Sequence, residues 1–133
     1  MRHVAYVTAI LLALLPAACG SRRLDAVAAL AEMTTAFNEG TKILQSVTDE
    51  ATAKDAAVRL EPYAKKFEAA ARDYKYSVRR GRSKGDLNAE MQKNLQATMA
   101  FVAETNRIEK LPGAMRHLKP LIDGMDRALQ DEE

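Results

Sequence analysis

The sequence predicts an all-α protein: a small antiparallel bundle of three long helices with a shorter C-terminal helix. Three observations support this fold class. The chain is rich in alanine, has no tryptophan, and contains only 6 glycines and 4 prolines among its 133 residues. Residues that favour strands are sparse and never alternate over a long run. Apolar residues recur instead at spacings of three and four, which places them on one face of a helix.

The first helix is predicted from about Leu24 to Val47. A glycine lies on its apolar face, and in a helix interior glycine costs about 1 kcal/mol relative to alanine. We attribute this glycine to the close approach of a neighbouring helix. The apolar face consists of Leu30, Met33, Phe37, Gly40, Leu44 and Val47.

The second helix is predicted to begin near Thr52, whose side chain would cap it while Asp55 reaches back. Its apolar positions repeat every seven residues, the clearest periodic signal in the chain. Pro62 lies inside this pattern, so it either kinks the helix or opens a new one after a short break. The repeating positions are Ala53, Leu60, Phe67 and Tyr74.

A loop over residues 81–85 follows, and Asp86 is expected to cap a third helix that runs to about Lys110. The apolar stripe of that helix comprises Leu87, Met91, Leu95, Thr98, Phe101, Val102, Thr105 and Ile108. After Pro112 and Gly113, a last helix carries Met115, Leu118, Leu121, Ile122, Met125 and Leu129. Because the connections are short, we expect antiparallel neighbours, with the second and third helices forming a hairpin around the 81–85 loop.

The N-terminal segment has the layout of a secretory signal peptide. Arg2 and His3 precede an apolar run over residues 4–15, and small residues follow it. A membrane-spanning helix needs about twenty apolar residues, so this run is too short to cross a bilayer. The pattern therefore predicts export from the cytoplasm.

The segment over residues 14–21 resembles the lipobox of bacterial lipoproteins. The resemblance rests on Ala17, Ala18 and Cys19, the single cysteine of the chain, while Pro16 stands where leucine is usual. It implies that Cys19 becomes the mature N-terminus and is acylated, with chains such as palmitate, which insert into the membrane. No aspartate follows the cysteine, and in lipoproteins of two-membraned bacteria this implies the outer membrane.

An alternative processing route is open. Ordinary signal peptidase could cut after Gly20, reading the small residues Ala18 and Gly20. Cys19 would then be discarded, and the mature protein would be soluble in the periplasm. The chain accordingly divides into a signal peptide over 1–18, an anchor or linker over 19–23, a helical bundle over 24–130 and an acidic tail over 131–133.

The residue inventory argues against an enzyme. His117 is the only histidine beyond the signal, no cysteine remains as a nucleophile, and neither HExxH nor GxSxG occurs. The methionines lie on or beside the apolar stripes, where they are expected as core filler rather than metal ligands. We expect no cofactor and no metal. A net charge of +2 is too near balance for a nucleic-acid partner.

A basic cluster ends the second helix and continues into the following loop, with Tyr74 and Tyr76 interleaved. It is interpreted as a candidate site for an anionic lipid, a cell-wall carboxylate or an acidic protein. The alternative is that these cations offset the dipole of the helix C-terminus. The candidate binding residues are Arg79, Arg80, Arg82 and Lys84.

Two functions are compatible with these observations. The first is a non-enzymatic, lipid-anchored protein of the cell envelope that acts as a helical interaction module. The second is a soluble periplasmic protein that binds a small or anionic ligand. Self-association through the stripe of the second helix is a third possibility, and the sequence leaves the oligomeric state open.

Overall fold

The computed structural model describes residues 23–130. This part of the chain forms four helices and contains no strand: α1 (Ala26–Gln45), α2 (Glu50–Arg79), α3 (Leu87–Glu109) and α4 (Met115–Leu129). The prediction of an all-α bundle is confirmed for these residues. Each helix boundary that was predicted from the sequence lies within two residues of the observed one.

Aspartates cap the first three helices. Asp25 and Asp86 accept hydrogen bonds from the backbone N–H three residues further on, each at 3.0 Å, and the latter cap was predicted. The cap of α2 is Asp49 rather than the predicted Thr52. The Asp49 carboxylate accepts the Thr52 N–H at 2.8 Å, while the Thr52 hydroxyl accepts the Asp49 N–H at 3.0 Å. The threonine is thus the reciprocating third residue of a capping box.

Helix α2 continues through Pro62 over 30 residues. The alternative in which proline opens a separate helix is therefore wrong. An ion pair between Glu61 and Lys65, with Nζ 2.7 Å from Oε1, spans the turn that contains the proline. Proline lacks only one backbone donor, and neighbouring turns of so long a helix keep the remaining hydrogen bonds.

Helix α1 is central to the packing, because it lies against both α2 and α3, whereas α2 also packs against α4. Helices α1 and α2 run antiparallel, and the Ser77 hydroxyl near the end of α2 donates to the Leu24 carbonyl at 2.6 Å. Helices α1 and α3 run in the same direction. The Asn94 amide donates to the Thr34 hydroxyl at 3.1 Å, early in both helices.

The predicted hairpin of the second and third helices is not formed, since α2 and α3 have no extended contact. The loop between them instead crosses the end of the bundle, so that α3 packs against α1. Arg107 fixes this pairing, because its guanidinium donates to the carbonyls of Leu44 and Val47, both at 2.9 Å. These are carbonyls at the C-terminal end of α1, where a cation also offsets the helix dipole.

All three phenylalanines of the chain meet in the core and join three helices. The Phe37 ring of α1 lies 4.7 Å from the Phe67 ring of α2 and 5.2 Å from the Phe101 ring of α3, measured between centroids. Gly40 faces this cluster, and a Cβ placed there would lie 2.8 Å from the Phe101 ring. The attribution of Gly40 to a close helix approach is confirmed.

The prediction for α3 was partly wrong. Its buried residues are Ala97, Phe101 and Ile108, whereas Met91 and Leu95 of the predicted inward stripe are 48% and 59% exposed. The reason is that α3 has an extended contact with α1 alone, so α1 buries only a narrow strip of the surface of α3. Leu87, at the start of the same stripe, is partly buried against the core.

Candidate functional site

An open groove separates α3 from α4. The two helices are joined by the short segment 110–114, yet they make no extended contact with one another. Each packs on its own helix of the α1–α2 pair, so one side of the four-helix arrangement is left open. The groove holds about 670 Å³, which is within the range of about 300–1,000 Å³ typical of small-ligand sites.

The lining of this groove is uncharged. Its floor is formed by Leu30 and Met33 of α1 with Tyr74 of α2, and its walls bear apolar side chains of α3 and α4. The polar residues of the lining carry amide or hydroxyl groups and no charge. The wall residues are Met91, Leu95 and Leu129, and the polar ones are Asn88, Gln92, Asn94 and Thr98.

The exposed face of α3 continues this apolar surface. Met99 is 64% exposed and Val102 is 47% exposed, one and two turns beyond Leu95. Residues 94–103 include no charged side chain, in contrast to the exposed face of α2. Interaction surfaces are depleted in charge at their centres and enriched in methionine. This ten-residue uncharged run was the signal in the sequence that could have marked the surface before the fold was known.

A smaller depression of about 370 Å³ adjoins the groove and shares Met33, Tyr74 and Leu129 with it. Lys75 and Arg79 line this second depression. The Lys75 ammonium donates to the Gln130 carbonyl at 2.7 Å. This hydrogen bond uses one of the three N–H donors of the ammonium. The two depressions thus form one trough, whose lining changes from uncharged side chains to Lys75 and Arg79.

The structure divides the predicted basic cluster between different surfaces. Arg82 and Lys84 border a third depression, together with Arg23 and Asp25. Arg79 lies on the trough described above. Arg80 is exposed, and its guanidinium lies 5.3 Å from the centroid of the Tyr76 ring, with the Arg23 guanidinium 4.0 Å from the same centroid. The four residues thus share one end of the bundle but do not line one common pocket.

A polar cluster that the sequence did not reveal joins α2 to α4. The Glu50 carboxylate accepts a hydrogen bond from Arg116 and lies 3.1 Å from His117 Nε2. Gly113 makes room for this carboxylate, since its φ is +75° and a Cβ there would lie 2.5 Å from Glu50 Oε2. The hydrogen bond with His117, followed by the hydrogen bond and charge of Arg116, lowers the pKa of Glu50 below its ordinary value of 4.5.

We expect this cluster to give an acid-dependent contribution to stability. A carboxyl whose pKa is lowered on folding stabilises the protein above its unfolded pKa, and this contribution is lost as the pH falls through the folded pKa. The Tm difference between the wild type and Glu50→Gln should therefore be present at about pH 5 and shrink as the pH falls below about 4.5. Thermal unfolding followed by circular dichroism measures it. A difference that grows as the pH falls below about 4.5 would contradict the assignment.

Between residues 23 and 130, no three histidine, cysteine, aspartate or glutamate side chains are grouped to hold a metal ion. None of the four helices combines the length and apolar character that a membrane span requires. Cys19, the predicted lipidation site, the signal peptide and the acidic tail over 131–133 lie outside the described residues.

Comparison with known protein families, with curated proteins and with solved structures finds no match for this chain. The class of protein is therefore described by its geometry: an all-α bundle whose described residues leave one side open and uncharged and place basic residues at the end of α2 and in the loop after it. What this class does follows from the chemistry of those two surfaces.

Proposed function

We propose that the chain is a non-enzymatic protein of the bacterial cell envelope, attached to the membrane through acyl chains on Cys19, whose helical domain binds its partner through the open side of the bundle. The observation that carries the binding role is the uncharged groove between α3 and α4 with the adjoining face of α3. Exposed apolar surfaces of this kind, rimmed by polar residues, mark interaction sites.

The attachment rests on the resemblance of residues 14–21 to a lipobox. Each buried methylene of an acyl chain contributes about 0.8 kcal/mol, and one chain alone gives only marginal attachment. Bacterial lipoproteins resemble the multi-chain case, in which attachment is effectively permanent. Outer-membrane placement is proposed for a host that has two membranes.

The anchor is tested by the intact mass of the protein from the membrane fraction of a bacterium that processes lipoproteins. We expect a chain that begins at Cys19 and carries acyl mass. The Cys19→Ala variant should lose the acyl mass. An unmodified chain beginning at Ser21 would contradict the anchor and favour the second candidate, a soluble periplasmic binding protein. That candidate is supported by the volume and lining of the same groove.

The interaction surface is tested with a photoreactive amino acid placed at Met99 of the full chain in living cells. Met99 is 64% exposed on α3, and Val58, 71% exposed on α2 and outside the groove lining, is a matched control. We expect a discrete adduct from position 99 and none from position 58. Equal adducts from both positions, or none from either, would contradict a partner on this face. An adduct of twice the chain mass would identify the partner as a second copy.

A further inference from the structure

We propose that the outward face of α3 pairs with the same face of a second copy of this chain, with the two α3 helices parallel. The inference rests on the function proposed above, because it names the partner of the α3 face and uses the Cys19 anchor to set the direction of the pairing. It is distinct from self-association through the stripe of α2, since Ala53, Leu60 and Phe67 of that stripe are buried within the bundle.

Helix α3 has two faces, one covered and one exposed. The covered face holds Ala97, Phe101 and Ile108, and the extended contact of α3 is with α1. On the other side of the helix, six exposed residues follow one another in alternating steps of four and three. This spacing places them along one line, as in the seam between two helices of a coiled coil. We call them the outward seam: Asn88, Gln92, Leu95, Met99, Val102 and Asn106.

The outward seam and the positions beside it carry no charge. In the heptad set by the seam, the charged residues of this stretch fall elsewhere: Glu90 and Glu104 are half-buried, and Lys93 pairs with Glu90 at 3.3 Å. The solvent-facing side of a helix usually carries charged side chains, whereas the centre of an interface is depleted in them. The uncharged positions that flank the seam are Ala89, Met91, Gln96, Thr98, Ala103 and Thr105.

A seam without charge is what contact with an identical chain requires. In a two-fold contact between parallel helices, each residue lies beside its own counterpart, so a charge on the seam would face a like charge. Leu95, Met99 and Val102 are apolar and pack against their own kind. The amides of Asn88 and Asn106 both donate and accept, so one amide can form a hydrogen bond with an identical one. The outward seam is therefore complementary to itself.

The anchor determines that the pairing is parallel. Arg23, where the described residues begin, follows Cys19 by four positions, and four residues span at most about 14 Å. The start of α3 is at the same end of the bundle, because the Ala26 N–H donates to the Arg82 carbonyl at 2.9 Å and the loop from Arg82 leads into α3. Two copies anchored in one membrane therefore have α3 helices that start from the same side.

The size of the seam indicates a contact that the membrane must strengthen. Between residues 88 and 106 the seam extends for about 27 Å, and a helix is about 10 Å wide, so each copy covers on the order of 300 Å². Interfaces that bury less than about 1,200 Å² in total are those of weak and transient complexes. Anchoring both copies in one membrane raises their effective concentration. We therefore expect the pair to form between anchored chains.

The test introduces one cysteine at a time into the full chain, treats envelope membranes with an oxidant and measures the disulfide-linked dimer. Leu95→Cys, Met99→Cys and Val102→Cys should each give dimer, because each position faces its own counterpart. Ala100→Cys is the matched control, since Ala100 is exposed on the same helix but lies off the seam. It should give at least about tenfold less dimer, because distant cysteines cannot be bridged. Equal yields from all four would indicate random collision and overturn the proposal.

The direction of the pairing is tested by Asn88→Cys and Asn106→Cys. The two positions are about 27 Å apart along α3, and only a parallel pair brings both of them beside their own counterparts. We expect dimer from each variant. Dimer from Met99→Cys with none from positions 88 and 106 would instead show antiparallel helices and would overturn the parallel arrangement.

A charge exchange tests whether the partner is a second copy. Met99 is 64% exposed, so Met99→Glu and Met99→Lys leave the core intact. Each variant alone should lower the dimer yield through Val102→Cys at least about tenfold, because like charges then face each other. Producing both variants in the same cells should restore the dimer, since each charge meets its opposite. Ala100→Glu should dimerise like the wild type. Absence of the loss, or of the rescue, would overturn the proposal.

These outcomes separate the inference from the function on which it rests. An adduct of another mass at Met99, with no dimer, would overturn the second copy and leave the α3 face as the surface that binds a partner. No adduct of any kind would overturn both. The intact mass of the same membrane sample reports acylation at Cys19, so failure of the anchor is read separately from failure of the pairing.

Discussion

Replacing Phe67 with alanine is expected to lower the free energy of unfolding by about 3–5 kcal/mol. The side chain is 0% exposed, and its ring is 4.7 Å from that of Phe37, the residue that links it to Phe101. The substitution removes the transfer energy of the ring and leaves a cavity where three helices meet, which the surrounding backbone cannot fill. Urea unfolding at equilibrium measures the effect, provided that the m value is unchanged.

Val58→Ala is the control for this prediction. Val58 lies on the same helix but is 71% exposed, so its truncation should change the free energy of unfolding by less than about 0.5 kcal/mol. If the alanine variant at position 67 does not fold, Phe67→Leu keeps most of the volume and should lose roughly 1–2 kcal/mol. A loss below about 1 kcal/mol for Phe67→Ala would show that the three rings do not form the core described here.

Replacing Gly40 with alanine is expected to lower the free energy of unfolding by up to about 2 kcal/mol, although alanine is the better helix former. The propensity gain is about 1 kcal/mol. Against it, the new Cβ would lie 2.8 and 3.2 Å from atoms of the Phe101 ring and 3.2 Å from a methyl of Leu60. A buried ring cannot move aside without disturbing the aromatic cluster, and overpacking of this kind costs about 1–3 kcal/mol.

Gly124→Ala is the matched control, and it should raise the free energy of unfolding by up to about 1 kcal/mol. This glycine is also inside a helix, but its Cβ would meet Glu68 Oε1 at 2.8 Å, the far end of a flexible side chain. That side chain can rotate away, so the gain in helix propensity is kept. Thermal unfolding of both variants measures the contrast. Effects of the same sign at positions 40 and 124 would contradict the close approach of α3 at Gly40.

The sequence predicted the helices well because their signals are local. The spacing of three and four on α1 gave the buried face that the structure has, from Leu30 to Val47. Asp86 was identified as a cap from its position alone. The cap of α2 was misplaced because Asp49 and Thr52 both favour helix starts, and only the reciprocal hydrogen bonds decide which residue is the cap and which reciprocates.

The candidate site was less predictable, because its residues come from all four helices. Periodicity predicted that three residues of the site belong to the core: Met91, Leu95 and Leu129. Periodicity identifies the apolar face of a helix, but it does not show whether a neighbouring helix covers that face. The position of Lys75 beside an apolar groove likewise depends on how α4 ends against α2. The hydrogen bond between His117 and the Glu50 carboxylate joins positions 67 apart, and no pattern in the sequence predicts it.

The fold class, the positions of the four helices and the close approach at Gly40 could all be predicted from the sequence, because helix propensity, capping and a 3.6-residue period act over short stretches of chain. Which helices are neighbours depends on tertiary contacts. Arg107 and Phe101 bring α3 to α1 rather than to α2, and this choice leaves α3 and α4 apart. The uncharged groove exists because of that pairing, which depends on contacts between residues distant in the chain.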